Sequence, residues 1–215
     1  MISEYKHFPE YKKIIGIDEA GRGPVAGPVV VAAVILPKDC MIEGINDSKK
    51  LSAKKRDELF KQITFRALHY EYKVVEHTII DEVNILQATF LGMNKLLQPF
   101  FSSPHLALID GPHLPKKEYD EKCKLILKSV VSGDSTYQCI AAASIIAKVV
   151  RDSIMTNYHK KYPAYDFINN KGYLTKHHRA AIEKFGICPI HRRSFVPINV
   201  YFLKSLFAFK ILNQF

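Results

Sequence analysis

The sequence predicts an α/β fold in which a mixed central sheet is flanked by helices. Two runs of β-branched residues come first, and strand-like runs then alternate with segments of helical periodicity. The chain has 215 residues, of which 47% are hydrophobic, so it is long enough for one sizeable core. Because it lacks internal repeats, low-complexity tracts and flexible linkers, we expect a single domain over residues 1–215.

The individual elements follow in order from hydrophobic pattern and turn signals. We predict strands at 13–17 (ending at Asp18), 28–36, 67–75, 105–109 and 125–131. We predict helices after the N-cap Ser52, over 78–97 and over 136–158. Beyond Pro163 we expect loops and short helices, and the amphipathic tail from Pro197 is expected to pack on the domain.

The charge balance indicates a polyanionic partner. The 31 Lys and Arg residues exceed the 21 Asp and Glu residues, which gives a net charge of +10. Nucleic acid is the first expectation and an acidic membrane surface the second. The longest apolar stretch, Val29 to Leu36, is far shorter than the roughly 20 residues that span a bilayer. The N-terminus lacks a secretory pattern, so we expect a cytoplasmic protein that does not bind membranes.

Acidic residues follow three separate predicted strands. Asp18 and Glu19 follow the first strand, Asp110 follows the fourth, and Asp134 lies between the fifth strand and a helix. Strand ends converge in a sheet, and converging carboxylates need cations between them, for which Mg²⁺ or Mn²⁺ is suited. A single acid at a strand end is more often a turn former or a helix cap than a metal ligand, so the signal lies in the repetition. Adjacent strand residues also point to opposite faces, so Asp18 and Glu19 share a site only where the strand twists or ends.

Two polar segments are candidates for substrate contacts. Gly21-Arg22-Gly23-Pro24 lets a substrate approach main-chain N–H groups closely, although a tight strand connection has the same composition. It lacks the Lys-Ser/Thr ending of a P-loop and the spacing of a dinucleotide fingerprint. The segment from Asn46 to Ser52 places Lys49 and Lys50 ahead of a helix, where a capped, solvated helix start is the alternative.

The second half of the chain mixes aromatic and basic residues between Tyr162 and Arg193. Such a mixture can stack on sugars or bases and contact phosphates; the alternative is a basic surface over core aromatics. His177, His178 and His191 lack zinc-site spacing, and the four cysteines form no Cys-x-x-Cys pair, so we expect no zinc site. We interpret these histidines as polar contacts.

Several motifs in one order carry a family resemblance. They are Gly16-Ile17-Asp18-Glu19-Ala20-Gly21-Arg22-Gly23-Pro24, Asn46-Asp47-Ser48-Lys49-Lys50-Leu51-Ser52, Asp110-Gly111, Gly133-Asp134, the helical run from Ile140 to Asp152, Lys171-Gly172-Tyr173 and Pro189-Ile190-His191-Arg192-Arg193-Ser194-Phe195. In this order the chain resembles the type 2 ribonucleases H, specifically bacterial ribonuclease HII. The resemblance spans most of the chain.

The resemblance implies a ribonuclease H-like fold with a C-terminal helical part, about residues 160–215, that helps to clamp the duplex. It implies that Asp18, Glu19, Asp110 and Asp134 are catalytic and bind two divalent ions, Mn²⁺ or Mg²⁺. It also implies that Gly21, Arg22 and Gly23 sense the 2′-hydroxyl at an RNA–DNA junction and that Tyr173 stacks on the sugar there. Further substrate contacts or supporting residues are implied at Asn46, Lys49, Ser144, Lys148 and Arg192.

The activity implied is that of a monomeric endoribonuclease with a two-metal-ion mechanism. It would cut 5′ of ribonucleotides embedded in duplex DNA and degrade RNA in RNA–DNA hybrids, leaving 3′-hydroxyl and 5′-phosphate ends. These activities would serve ribonucleotide excision repair and RNA primer removal, and a replication or repair protein is a candidate partner for the C-terminal tail.

One departure and two alternatives accompany this hypothesis. Leu174 stands where the family usually has a glycine after the junction tyrosine, which leaves the pose of Tyr173 open. The sister family, ribonuclease HIII, usually lacks the Gly-Arg-Gly loop and carries an extra N-terminal domain. A DNA resolvase on the same fold and a non-catalytic hybrid-binding protein are the alternative functions.

Overall fold

A computed structural model describes residues 1–115 and 123–202, which contain a five-stranded mixed sheet. Its strands are β1 (Ile14–Ala20), β2 (Val29–Ile35), β3 (His69–Val75), β4 (Leu106–Asp110) and β5 (Ile126–Val130), in the order β3-β2-β1-β4-β5. Strand β1 is antiparallel to β2 and parallel to β4, which is in turn parallel to β5. The predicted mixed sheet is therefore confirmed.

Six α-helices lie wholly within the described part of the chain, and residues 198–202 at its end are also helical. The six are α1 (Ala53–Arg66), α2 (His77–Val83), α3 (Ile85–Leu97), α4 (Gln138–Lys161), α5 (Phe167–Asn170) and α6 (Lys176–Phe185). Ser52 caps α1 as predicted, since its hydroxyl accepts a hydrogen bond from the Lys55 amide at 3.2 Å. None of the described helices has the length and apolar character needed to span a bilayer.

Several element ends differ from the sequence prediction by one to three residues, and two differences matter for the architecture. Strand β1 continues past Asp18, because its pairing with β2 extends to Ala20 opposite Val30. The single helix predicted over 78–97 is two helices separated by Asn84, whose φ of 68° is left-handed. The Asn84 side chain accepts hydrogen bonds from the amides of Leu86 at 3.0 Å and Gln87 at 3.1 Å, so it caps the start of α3. The helical spacing of apolar residues continues across Asn84, so the sequence pattern does not indicate the break.

The chain divides into two compact units. Among the described residues, the first comprises 1–20, 30–74, 89–115 and 123–150, and the second comprises 21–29, 75–88 and 151–202. In the first unit, Ile15, Ile17 and Ile109 belong to one buried cluster of the sheet. In the second, Phe167 and Ile182 belong to a separate buried cluster. The single-domain organisation and the clamp beginning near residue 160 stay predictions, and residues 203–215 of the amphipathic tail lie outside the described residues.

Strand β1 approaches the first turn of α4 backbone to backbone. A Cβ atom placed on Gly16 would lie 2.1 Å from the carbonyl carbon of Cys139 and 2.5 Å from the amide nitrogen of Ile140. Both neighbours are main-chain atoms and cannot rotate away. Glycine at position 16 therefore determines how closely α4 packs on the strand that carries Asp18.

We expect Gly16→Ala to destabilise the protein by about 3 kcal/mol or more, because the added methyl group forces the strand and the helix apart. Urea unfolding measures the loss. Gly111→Ala is the matched control: its φ is +93° but nothing lies within 4 Å of the added Cβ, so we expect only about 1 kcal/mol of backbone strain. Equal losses in the two variants would contradict the packing argument.

Candidate active site

Three carboxylates converge at one end of the parallel strands in the first unit. Asp18 lies in β1, Asp110 ends β4, and Asp134 lies in a short 3₁₀ helix after β5. The parallel register pairs Ile17 with Ile109, which places Asp18 and Asp110 next along neighbouring strands. One oxygen from each of the three carboxylates lies within 4.8 Å of the others. We call Asp18, Asp110 and Asp134 the acidic cluster.

The backbone after β5 holds Asp110 in place. Its Oδ1 accepts a hydrogen bond from the Gly133 amide at 2.7 Å, and the Asp134 amide lies 3.4 Å from the same oxygen. A Cβ atom on Gly133 would lie 2.5 Å from Cδ1 of Ile140 and 3.2 Å from Cβ of Val130. Glycine at 133 therefore allows the turn to come close enough to bind Asp110.

The environment of the cluster opposes its negative charge. Asp18 is 4% exposed, and burial, together with the charges of Glu19 and Asp110, raises its pKa well above the usual value. Burial, Asp110 and Asp47 likewise raise the pKa of Asp134. Buried carboxylate oxygens that repel one another form a donor set for a hard divalent cation, so the residues present fit such an ion.

Glu19 occupies a different position from the other three acids. It follows Asp18 on the alternate face of β1, is half-buried, and is not a member of the cluster of converging oxygens found among the described residues. Its amide donates a 2.7 Å hydrogen bond to Oδ1 of Asp18. Its side-chain role as a metal ligand stays a prediction.

The lysine segment predicted from the sequence borders the acidic cluster. Lys49 Nζ lies 3.9 Å from Oδ2 of Asp134, with a side chain that is 77% exposed. Partial burial lowers the Lys49 pKa, but the charges of Asp18, Asp47 and Asp134 outweigh it and raise the pKa overall. Lys49 thus keeps a positive charge at the exposed rim of the cluster.

The remaining predicted contact residues differ in how they meet the acidic cluster, and Ser144 of α4 is the one bonded to it. The Ser144 hydroxyl lies 2.9 Å from the Ser48 hydroxyl and is hydrogen-bonded to Asp18, where it lowers the carboxyl pKa. Lys148 is half-buried and lies one helical turn beyond Ser144, on the same face of α4. Asn46 is exposed, and its Oδ1 accepts a hydrogen bond from the Asp47 amide at 2.8 Å.

Asp47 is a site residue that the sequence prediction does not include, although it lies within the Asn46–Ser52 motif. It accepts a hydrogen bond from the Lys49 amide at 2.9 Å and caps the short 3₁₀ helix Ser48–Lys50. Its carboxyl group also hydrogen-bonds to that of Asp134 and raises the Asp134 pKa. In the sequence, its position before a short polar segment indicates a helix cap and does not indicate contact with Asp134.

In the second unit, residues 21–28 form what we call the glycine loop, and two buried arginines hold it. Arg192, which is 0% exposed, donates from Nε to Gly27 O at 2.9 Å, from Nη1 to Arg22 O at 3.0 Å and from Nη2 to Gly21 O at 2.6 Å. Arg151 donates to Pro28 O at 3.0 Å and Ala26 O at 3.2 Å. Burial lowers the pKa of Arg192 to about 9 and that of Arg151 to about 10.

This arrangement sets the direction of the loop amides. A trans peptide points its C=O and N–H in opposite directions. Because Arg192 binds the carbonyl oxygens of Gly21 and Arg22, the N–H groups of Arg22 and Gly23 point away from its guanidinium. Gly21 has φ +102°, and a Cβ there would lie 2.0 Å from Nε of Arg151, so the position requires glycine. The only sequence feature that could have indicated this role for Arg151 is an arginine within the largely apolar helix α4.

Tyr173 belongs to the same unit as the glycine loop. Its side chain is 50% exposed, and its Cε1 lies 3.4 Å from the position of a Cβ on Gly23. Leu174, the departure from the family pattern, packs partly buried against the core cluster of this unit. Leu174 is not among the described residues with positive φ, so a side chain there causes no left-handed strain.

Comparison with known proteins gives one consistent family. A family model described as Ribonuclease HII matches residues 15–198. Ribonuclease HII of Endomicrobium trichonymphae is 53% identical over 186 residues, which is 86% of each chain. A chain in the structure of the PCNA:RNase HII complex from Archaeoglobus fulgidus is 29% identical with a TM-score of 0.69, covering 84% of this chain and 93% of that one.

A second solved structure supports the fold. Ribonuclease H2 from Pyrococcus horikoshii superposes with a TM-score of 0.68 at 24% identity, over 88% of this chain and 96% of that one. The predicted ribonuclease H-like fold is thereby confirmed. The identity to ribonucleases HII over most of the chain favours this family over the resolvase and the non-catalytic alternative. The chain therefore belongs to the ribonuclease HII family and is a ribonuclease H enzyme.

Proposed function

We propose that the acidic cluster, together with Glu19, binds the divalent cations on which this family depends, and that phosphodiester hydrolysis takes place there. The observation that carries the proposal is the convergence of oxygens from Asp18, Asp110 and Asp134 within 4.8 Å. The raised pKa values of Asp18 and Asp134 support it, because a bound cation offsets the burial and the repulsion that raise them. The hard oxygen ligands favour Mg²⁺ or Mn²⁺, and we propose two ions.

The protein side chains supply position and charge for this reaction. When bound, the cations favour deprotonation of the attacking water and stabilise the leaving oxygen. Ser144 orients the Asp18 carboxylate, while Gly133 and the amide hydrogen bond to Asp110 hold the second acid. Lys49 at the exposed rim attracts a backbone phosphate towards the acids. We propose weaker duplex contacts for Asn46 and Lys148.

We propose that the glycine loop and Tyr173 recognise the ribonucleotide. The N–H groups of Arg22 and Gly23, turned away from Arg192, are placed to donate to a 2′-hydroxyl, the feature that separates RNA from DNA at a single site. The half-exposed ring of Tyr173 offers a surface for the sugar at the junction. Since Arg192 is fully buried and bound to loop carbonyls, we assign it the positioning of this loop.

The substrates that follow are RNA–DNA hybrids and duplex DNA containing ribonucleotides. Cleavage on the 5′ side of the ribonucleotide would leave 3′-hydroxyl and 5′-phosphate ends for repair or primer removal. The net charge of +10 suits a duplex phosphate backbone. We propose a monomer located in the cytoplasm. The assembly of the archaeal relative with PCNA supports a replication partner, and the tail proposed to contact it lies largely outside the described residues.

We expect Asp110→Asn to lower kcat by about a thousandfold or more, because it removes a ligand charge while preserving Oδ1 for the Gly133 amide. The measurement is cleavage of a labelled DNA duplex with one embedded ribonucleotide, beside an all-DNA duplex, with Mg²⁺, Mn²⁺ or chelator. Binding to the duplex should remain measurable. Asp57→Asn, an exposed position on α1, serves as the control, and full activity of Asp110→Asn would refute the site.

The same substitution should raise the stability of the metal-free protein. Asp18 and Asp134 have raised pKa values in the folded state, to which burial and the charge of Asp110 contribute, so the free energy of unfolding falls as pH rises from their ordinary value near 3.8 through the raised folded values. Removing one charge relieves this loss at neutral pH. We expect a Tm increase of about 2–4 °C for Asp110→Asn in chelator at pH 7, and a smaller difference at pH 4. A decrease at pH 7 would contradict the repulsion.

We expect Tyr173→Ala to reduce kcat/KM on a duplex with a single ribonucleotide by about tenfold more than on a long RNA–DNA hybrid. A long hybrid presents many ribonucleotides and depends less on one stacking contact at the junction. Tyr173→Phe keeps the ring and should keep the ratio. Equal losses on both substrates would exclude a junction role for Tyr173.

A further inference from the structure

A pair of buried histidines connects the core of the second unit to the backbone of Tyr173. His178, in α6, and His191 are both 0% exposed, and their Nε2 atoms lie 3.0 Å apart. Nδ1 of His178 lies 2.9 Å from the carbonyl oxygen of Tyr173. Nδ1 of His191 lies 2.9 Å from the Cys188 amide and 3.1 Å from the Cys188 carbonyl oxygen.

These contacts fix the proton positions when both rings are neutral. The Tyr173 carbonyl can only accept, so Nδ1 of His178 carries a proton and Nε2 of His178 is an acceptor. Nε2 of His191 must then donate to it, which leaves Nδ1 of His191 to accept from the Cys188 amide. The opposite tautomer of His191 would place two lone pairs against each other at 3.0 Å. The result is a directed relay from Cys188 N–H to the Tyr173 carbonyl.

The surroundings keep both rings neutral. Tyr165 and Phe167 pack edge-on or tilted against the two imidazoles. Burial lowers the pKa of His191 to about 4, with further lowering by His178 and His77. Burial also lowers the pKa of His178, opposed by the Tyr173 carbonyl and assisted by His177. An added proton would place two donors face to face in the relay.

The relay ends at the Tyr173 carbonyl, the backbone group of the residue proposed to contact the substrate. The same oxygen accepts the Thr175 amide at 2.9 Å, and the Tyr173 amide donates to Asn170 O at 2.9 Å. The peptide that follows Tyr173 is therefore held from two directions. Leu174 packs on the core beside it, so the backbone at this turn is fixed while the Tyr173 ring stays half-exposed near Gly23.

We propose that His178 and His191 are positioning residues for ribonucleotide recognition, which they support by fixing the backbone of Tyr173 through a neutral imidazole relay. This inference rests on the proposed junction role of Tyr173. A rigid tyrosine loses less entropy when it stacks on the sugar, so the relay should affect selectivity more than overall turnover.

The relay can be tested directly by the tautomers of the two rings. In ¹⁵N–¹H correlation spectra of histidine-labelled protein at pH 7, we expect His178 as the Nδ1–H tautomer and His191 as the Nε2–H tautomer. Single His→Gln variants assign the signals. A charged ring, or the Nε2–H tautomer at His178, would overturn the relay whatever the activity of the enzyme.

Two variants of His178 separate the contact with Tyr173 from the contact with His191. The amide nitrogen of Asn lies near the place of Nδ1, so His178→Asn keeps a donor for the Tyr173 carbonyl. The amide of Gln lies near the place of Nε2, so His178→Gln keeps a partner for His191 and loses that donor. We expect His178→Gln to lower the ratio of kcat/KM on single-ribonucleotide duplex to that on long hybrid by about fivefold to tenfold, as for one hydrogen bond. His178→Asn should lower it less, and the exposed neighbour variant His177→Gln should leave the ratio unchanged.

A double-mutant cycle distinguishes this inference from the proposed function on which it rests. If His178 acts through Tyr173, His178→Gln should lower the ratio no further in a Tyr173→Ala background. Additive losses, or an unchanged ratio in His178→Gln while Tyr173→Ala lowers it, would overturn the positioning role alone. An unchanged ratio in Tyr173→Ala would overturn the junction role itself and with it the reason for positioning this residue.

Discussion

The burial and mutual repulsion of the acidic cluster are the constraint around which the first unit is organised. Asp18 and Asp110 lie side by side on parallel strands, and burial of Asp18 removes the water that would screen them. Such acids would move apart unless the backbone held them. The hydrogen bond that the Gly133 amide donates to Asp110 and the close approach of α4 to Gly16 hold these acids in place. Local stability is thus given up at the place where a cation is proposed to bind, as is usual for functional sites.

The second unit also buries charged side chains, but these are positively charged arginines. Arg151 and Arg192 are buried, and the described hydrogen bonds that they donate go to backbone carbonyl oxygens. Hydrogen bonds from a charged donor are stronger than neutral ones, which offsets part of the cost of burial. The loop gains a fixed shape without needing regular secondary structure. This is why a segment rich in glycine, which alone would be flexible, can present its amides in one direction.

The parts that sequence predicted best are those with a local signal. Runs of β-branched and other apolar residues predicted the strands, and the N-cap residue Ser52 predicted the start of α1. Acidic residues after apolar runs predicted where β4 and β5 end. The parts that it missed either lie inside a continuous apolar pattern or depend on partners elsewhere in the chain. Asn84 interrupts an apolar pattern that continues on both sides, and the pairing of Ala20 with Val30 extends β1 beyond the expected end. The histidine pair joins residues from α6 and a later loop, and neither has a spacing that would reveal the other.

Discrimination of RNA from DNA must arise away from the general charge of the protein. A net charge of +10 attracts any duplex and carries no information about the sugar. Backbone amides that donate to a 2′-hydroxyl do carry it, because a deoxyribose leaves them without that partner, and a site built to bind a hydroxyl rejects the analogue that lacks it. Such discrimination is lost if the donors can turn to other partners. Under the proposed function, the buried arginines that fix the glycine loop and the imidazole relay proposed to fix Tyr173 address one requirement: the groups proposed to recognise the ribose must not adapt to the wrong sugar.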